Sequence, residues 1–374
     1  MIELLTIIRR KYRIADYFFP LVICLCAITV VGILVIGSAN ESYRNKQILG
    51  LVLGLFVMAV VSLIDYELIL KFHWLIYAVI IFVLILVLVF GYTTGGATRW
   101  IDLKVIRFQP SELAKILMIL FLAHYLTSHK EDMNKARQII KTLVLIFIPV
   151  VLIQKEPDLS TSIVFVLVCL TLFFLSGLSA KVVAVAMAVG IPAMAVGWHL
   201  ILTKGEQILN TYQYLRIMGW LYPEEYPNIA YQQQNAITAV GSGMLFGKGL
   251  YNTDVDSAKN GNFISEPQTD FIFAVTGEEL GFVGGCVVIG LLLLICLFCM
   301  YIGFKAKDEK GSLIAYGMGL LIGFQTFINI CVVTGLFPNT GLPLPFVSYG
   351  LTSLVTLFFG MGIVLNVGLQ RERH

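Results

Sequence analysis

The sequence predicts an all-α polytopic integral membrane protein with about ten transmembrane helices and a long extracytoplasmic loop between the seventh and eighth. Three observations carry this. The 374 residues are 58% hydrophobic and 13% charged, with a mean hydropathy of +0.87, whereas soluble proteins carry about 25% charged residues. Apolar runs of about 20 residues, enough to cross a hydrocarbon core of about 30 Å, recur along the whole length and leave no room for a soluble domain. Lys and Arg are biased toward alternate connections, which sets an orientation.

In chain order, Arg9, Arg10, Lys11 and Arg13 precede the first apolar run. No small-residue cleavage site follows a short core, so this is expected to be a retained span rather than a signal peptide. The runs near 17–38, 46–64, 73–91, 111–128, 141–154, 160–177, 181–202, 270–303, 312–335 and 349–368 are the ten spans. The fifth is short and bounded by Glu156-Pro157-Asp158, which predicts a span whose end dips into a polar cavity.

With the amino terminus in the cytoplasm, the inner connections receive Lys71, Lys130, Lys135, Arg137, Lys141, Lys181, Lys305, Lys307, Lys310, Arg371 and Arg373. Both termini are then cytoplasmic, which needs an even number of spans. Residues 1–374 read as a single membrane domain whose outer segments 92–110, 203–269 and 336–348 form the site. The second of these holds Tyr212, Tyr214, Trp220, Tyr222, Tyr226 and Tyr231. Aromatics in that number predict amphipathic helices at headgroup level rather than a free linker.

Cysteine and histidine exclude some chemistries. All seven cysteines fall in apolar runs, where they behave as small hydrophobes. The five histidines are scattered, with none at ligand spacing to a cysteine, so zinc and haem sites lack support. The net charge of +3 is small, no nucleic-acid partner is expected, and no GxxxxGK[ST] phosphate loop is present.

A carboxylate at the mouth of a span is costly unless paired, hydrated or used. Asp270 stands at such a junction, in Thr269-Asp-Phe-Ile-Phe-Ala274. It reads either as an N-cap for a helix from Phe271 or as a functional group. Pro110 suits a first helical turn and Ser111 a cap, which puts Glu112 and Lys115 on one helical face. They form either a self-neutralising pair or, through Lys115 with Arg99, positive charge for a phosphate-bearing ligand. Asp158 is a cap candidate opening the sixth span. Arg216 and Lys248 are each explained by solvation, while the glycines around Lys248 would let backbone N–H groups approach an anion. Gly335-Leu-Phe-Pro-Asn-Thr-Gly-Leu-Pro-Leu-Pro-Phe-Val-Ser-Tyr-Gly350, after Asn329, cannot form regular helix, and such backbone survives at membrane depth only inside protein or along a wet cavity. Arg99, Gln109, Lys115, Asp158, Arg216, Lys248, Glu266, Asp270 and Ser348 all fall on the outer face, which predicts a shared anion-attracting cavity.

These residues resemble the SEDS family (shape, elongation, division and sporulation), with its RodA, FtsW and SpoVE branches. The resemblance rests on Gly96-Ala-Thr-Arg-Trp100, Gln109-Pro-Ser-Glu-Leu-Ala-Lys115, Glu156-Pro-Asp158, Gly241-Ser-Gly243 with Gly247-Lys-Gly249, Thr269-Asp-Phe-Ile-Phe-Ala274 with Gly277-Glu-Glu-Leu-Gly281, and Gly341-Leu-Pro-Leu-Pro-Phe-Val-Ser-Tyr-Gly350. It covers nearly the whole chain, and the short termini are similar to the RodA or SpoVE branch. Ser265-Glu-Pro-Gln268 departs from the usual Pro-Glu-x-His, Ser160 replaces a Gly, and Leu351-Thr352 replaces Gly-Ser.

The resemblance implies a peptidoglycan glycosyltransferase of the bacterial cytoplasmic membrane, polymerising lipid II into β1,4-linked glycan strands for cell shape, division or sporulation. It implies Asp270 as catalytic base and Arg99, Lys115, Arg216 and Lys248 as pyrophosphate ligands. Gln109, Glu112, Asp158, Glu266, Thr269, Ser348 and Tyr349 are expected to support them. It fixes no cofactor and admits a divalent cation, Mg or Mn. The partners implied are lipid II, membrane lipids and a class B penicillin-binding protein. A lipid II flippase and a non-catalytic scaffold for a transpeptidase are the competing readings.

Overall fold

The computed structural model describes residues 17–94, 97–102, 107–253, 257, 259–261 and 263–370. The Arg9–Arg13 cluster, Gly96, Arg371 and Arg373 lie outside the described residues, and so does the expected placement of the termini.

The helices are α1 (Phe19–Ala39), α2 (Glu41–Ser62), α3 (Tyr66–Leu70), α4 (His73–Phe90), α5 (Pro110–Ser128), α6 (Ala136–Lys155), α7 (Leu159–Leu175), α8 (Ala180–Ile208), α9 (Thr211–Leu221), α10 (Pro227–Ser242), α11 (Ile272–Phe304), α12 (Glu309–Val333) and α13 (Leu351–Leu369). Among the described residues, nine are long and apolar enough to span a membrane, and α7 is a shorter apolar helix of 17 residues. Together they match the ten expected spans, and α9 and α10 are helices in the segment between the seventh and eighth, where helices rather than a free linker are expected.

Local chemistry sets several boundaries. The Asn40 side chain accepts from Ser42 N–H at the start of α2, and Asp308 accepts from Gly311 N–H at 2.7 Å at the start of α12, satisfying N–H groups a helix start leaves free. The innermost helices are α5, α12 and α13. Gly54 of α2 has no room for a Cβ because the Phe358 ring of α13 lies 2.3 Å from where it would stand, so the two helices approach closely. Apart from Gly205, α8 buries no side chain.

The basic connections meet at one end of the bundle. Lys307 reaches Glu67 at 2.6 Å and Gln370 at 2.7 Å, Lys130 pairs with Glu309, and Asn134 accepts from Ser179 N–H at 2.7 Å. The polar motifs lie at the opposite end. There the chain also forms an antiparallel three-stranded sheet that the hydropathy pattern does not reveal: β1 (Tyr92–Thr94), β2 (Ala97–Asp102) and β3 (Arg107–Phe108), in the order β1-β2-β3.

Two expectations need correction. The fifth span is not short: α6 begins five residues earlier than expected, because Arg137 and Lys141 remain exposed on its first turns and leave the apolar stem to the membrane. The eighth span is not continuous, since α11 breaks at Gly281 (φ 66, ψ −166). Residues 336–350 are irregular as expected, and Leu342, Leu344, Phe346 and Val347 bury this segment in the protein.

Candidate active site

Asp270 is not a helix cap. Helix α11 starts at Ile272, and its N-cap residue, Phe271, makes no side-chain cap bond. Among the described residues the Asp270 carboxylate has no hydrogen bond or ion pair. Its backbone, in contrast, is firmly held. The Asn329 amide donates to Asp270 O at 2.9 Å and to Leu342 O at 2.6 Å. Ser348 Oγ donates to Thr269 O at 2.7 Å, and Tyr349 N–H donates to Gln268 O at 2.9 Å. The irregular segment after α12 thus fixes the position of the carboxylate without neutralising it.

Two guanidinium groups face it. Arg99 of β2 donates from Nη2 to Pro157 O at 2.7 Å, and its Nε lies 3.7 Å from Asp158 Oδ2. Arg216 of α9 donates from Nη1 to Asn339 O at 3.2 Å and stacks 4.3 Å over the Tyr212 ring, an arrangement suited to a planar cation. Gly341 (φ 72) is the point of convergence. A Cβ there would lie 3.2 Å from Asp270 Oδ2, 3.5 Å from Arg216 Nη1 and 3.7 Å from Arg99 Nη1.

A cleft of about 360 Å³ opens over these groups, lined also by Trp100, Gln109, Gln232, Glu266, Thr269, Tyr349 and Ser353. Burial raises the Asp270 pKa above the ordinary carboxylate range; Arg216 and Arg99 partly offset this, and the Glu266 and Asp158 carboxylates reinforce it. Behind Arg99 lies Glu156, fully buried, with neither carboxylate oxygen hydrogen-bonded. Burial and the adjacent Asp158 push its pKa up to about 9, against a lowering effect of Arg99, so it is protonated at neutral pH.

The structure brings together Arg99, Gln109, Arg216, Glu266, Thr269, Asp270 and Tyr349. Asp158 stands behind Arg99 and also caps α7, accepting from Thr161 N–H at 3.1 Å. Other expected members lie elsewhere. Lys115 is buried between Glu112 at 2.8 Å and Gln325 at 3.0 Å, so its charge is spent within the bundle rather than offered beside Arg99. Lys248 pairs with Glu278 at 2.8 Å. The N–H groups of Gly247, Lys248 and Gly249 donate to the carbonyls of Gly243, Glu278 and Glu279, so no anion cradle forms there. Ser348 acts through Thr269 and Leu344 rather than in the cleft. Ser111 does not cap α5; Gln109 takes the cap position without a side-chain cap bond.

Sequence reasoning overlooked Tyr212, Gln232, Asn339 and Gly341 as parts of the cleft. Gly341 and Asn339 lay within a motif already singled out, but only the fold shows what they face.

Among the described residues no group of three His, Cys, Asp or Glu side chains stands where it could by itself hold a metal ion.

Fold and cleft together define an integral membrane protein with a carboxylate and two guanidiniums converging on one polar cleft. The chain belongs to the FtsW/RodA/SpoVE family, whose profile, described as "Cell cycle protein", matches residues 11–373. It is 36% identical over 362 residues to the peptidoglycan glycosyltransferase MrdB of Escherichia coli K12, covering 94% of this chain and 93% of MrdB. It is 32% identical over 379 residues to a probable peptidoglycan glycosyltransferase FtsW of Geobacter sulfurreducens, covering 96% of each. Among solved structures, it superimposes with a TM-score of 0.78 at 28% identity on a chain from a peptidoglycan synthase complex described as coordinating polymerization and crosslinking, over 94% of this chain and 97% of that one. With the rod shape determining protein RodA of Thermus thermophilus the TM-score is 0.69 at 26% identity, over 96% and 98% of the two chains.

Proposed function

We propose that this protein is a peptidoglycan glycosyltransferase that polymerises lipid II, with Asp270 as general base. The observation that carries this reading is the Asp270 carboxylate, unpaired among the described residues yet facing Arg99 and Arg216 across Gly341. A carboxylate with no hydrogen bond among the described residues, its proton affinity raised by burial, is a poor structural element and a good proton acceptor.

In the reaction, the 4-hydroxyl of the acceptor sugar attacks the anomeric carbon of the donor from the face opposite its pyrophosphate. The new C–O bond forms as the anomeric carbon–phosphate oxygen bond breaks, with inversion. The hydroxyl proton passes to Asp270. Undecaprenyl pyrophosphate leaves with the bonding electron pair, and Arg99 and Arg216 stabilise its charge by donors fixed in advance, Arg99 on Pro157 and Arg216 on Asn339 and Tyr212. The pyrophosphate departs unprotonated, so one carboxylate suffices.

The clustered basic connections support a cytoplasmic assignment for that end of the bundle, which puts the cleft on the outer face. A class B penicillin-binding protein is the proposed partner, supported by the similarity to a chain of a peptidoglycan synthase complex.

The test is polymerisation of fluorescent lipid II by the purified protein, with and without such a partner. Asp270→Asn should lower the rate by about 10²–10⁴-fold, the usual contribution of a positioned base. Undiminished polymer from that variant, or lipid translocation without polymer in the wild type, would overturn the proposal.

A further inference from the structure

A break inside an apolar helix frees backbone groups, and in a membrane each must be satisfied within the protein. At Gly281 in α11 the groups are satisfied by residues 244–249. Lys248 N–H donates to Glu278 O and Gly249 N–H to Glu279 O, both at 2.9 Å. In return, Phe282 N–H donates to Met244 O at 2.8 Å and Val283 N–H to Leu245 O at 3.1 Å. The fit is backbone against backbone: a Cβ on Gly247 (φ 78) would stand 2.1 Å from Glu279 O. Beside this clasp, Lys248 pairs with Glu278, and Lys259 with Glu279, which also accepts from Ser38 Oγ at 2.6 Å.

The clasp turns three apolar side chains outward: Met244 is 78% exposed, Leu245 51% and Phe246 76%. They adjoin the exposed Phe282 and Val283 of α11. From Leu280 to Phe304 the chain carries no charged residue. At about 1.5 Å per residue that stretch is about 37 Å long, more than the hydrocarbon core of about 30 Å requires. The clasp therefore sits at the hydrocarbon edge, with its ion pairs on the polar side.

We propose that Met244-Leu245-Phe246 is a bilayer-inserted tip whose occupant is lipid acyl chains. Two features of the structure select lipid: continuity of the tip with the exposed apolar stripe of α11, and a backbone already hydrogen-bonded, as non-helical chain at membrane depth must be. The tip follows directly on α10, which contributes Gln232 to the cleft. Its insertion would hold that wall at headgroup level.

The test uses the full chain in lipid nanodiscs, spin-labelled at Phe246→Cys after the exposed Cys286 is replaced by Ser, with the signal of the unmutated position subtracted. The protein is studied alone, and activity is not read, so the result does not depend on the proposed enzymology. The label should collide with oxygen more than with a water-soluble nickel chelate, with an accessibility ratio between those of Leu293→Cys in mid-span and Glu224→Cys. Nickel collisions at the level of Glu224→Cys, in the polar stretch between α9 and α10, would overturn the proposal. So would shielding from both reagents, which would mean that protein covers the tip.

Discussion

Asp270 and Arg216 face each other across the missing side chain of Gly341, their Oδ2 and Nη1 atoms 3.2 Å and 3.5 Å from where its Cβ would be. The same glycine has a positive φ of 72°, so both its conformation and its lack of bulk are needed to keep base and cation in one cleft.

Gly341→Ala would place a methyl group among three charged atoms and force an L-residue into the left-handed region, at about 1–2 kcal/mol. Misplacement of a reacting group by about 1 Å can cost about 10²-fold in rate. Lipid II polymerisation should fall by at least about tenfold, while detergent-purified protein keeps a cooperative thermal transition slightly below that of the wild type.

Asp270 must be ionised to accept a proton, and burial raises its pKa. Polymerisation should therefore rise with pH through a value above the ordinary carboxylate pKa of about 4. Arg216 opposes that rise, so Arg216→Gln should move the acid limb to higher pH. Lys248→Gln, outside the cleft, should leave it in place. The pH dependence of kcat/KM checks both statements.

The folded state disfavours ionised Asp270, so at neutral pH its charge subtracts from stability: a raised carboxylate pKa gives stability present below the unfolded value and lost as pH rises through the folded one. Asp270→Asn removes that charge. It should melt at or above the wild-type temperature at pH 7 even as activity collapses, whereas loss of a structural cap would lower the melting temperature.

Glu156 follows the same sign over a wider window. The fold keeps it protonated up to about pH 9, whereas in the unfolded chain it ionises near the ordinary carboxylate pKa of about 4, so stability is lost progressively between those values and no further above them. Glu156→Gln, uncharged in both states, should melt close to wild type near pH 4 and clearly above it at pH 9. Thermal melts at pH 4 and pH 9 compare the two.

Lys115 tests the distinction between a buried pair and a ligand. Lys115→Met leaves the Glu112 carboxylate buried without its cation, a loss of about 3–5 kcal/mol, and should lower the melting temperature sharply. The double variant Glu112→Gln with Lys115→Met should recover much of that loss. A Lys115→Met protein that melts normally but binds lipid II poorly would return Lys115 to the ligand set.

Much of this molecule was written in local sequence. Hydropathy alone located ten spans, because each apolar run must individually satisfy the same thickness of hydrocarbon. The prolines and glycines of 335–350 announced irregular chain, and Asp270 drew notice as a carboxylate at the mouth of a span. What local sequence left open was pairing. Asp158, Asp270, Lys115 and Lys248 all looked alike as charged residues at the ends or near the ends of spans. Only packing made Lys115 and Lys248 ion-pair members, made Asp158 both a cap and a neighbour of Arg99, and left Asp270 without an ion pair among the described residues. Those outcomes depend on contacts such as Arg216 with Asn339, which lie 123 residues apart. Which charge is neutralised is a question of distance in space, and the chain settles it only when the helices and the irregular segment 336–350 come together.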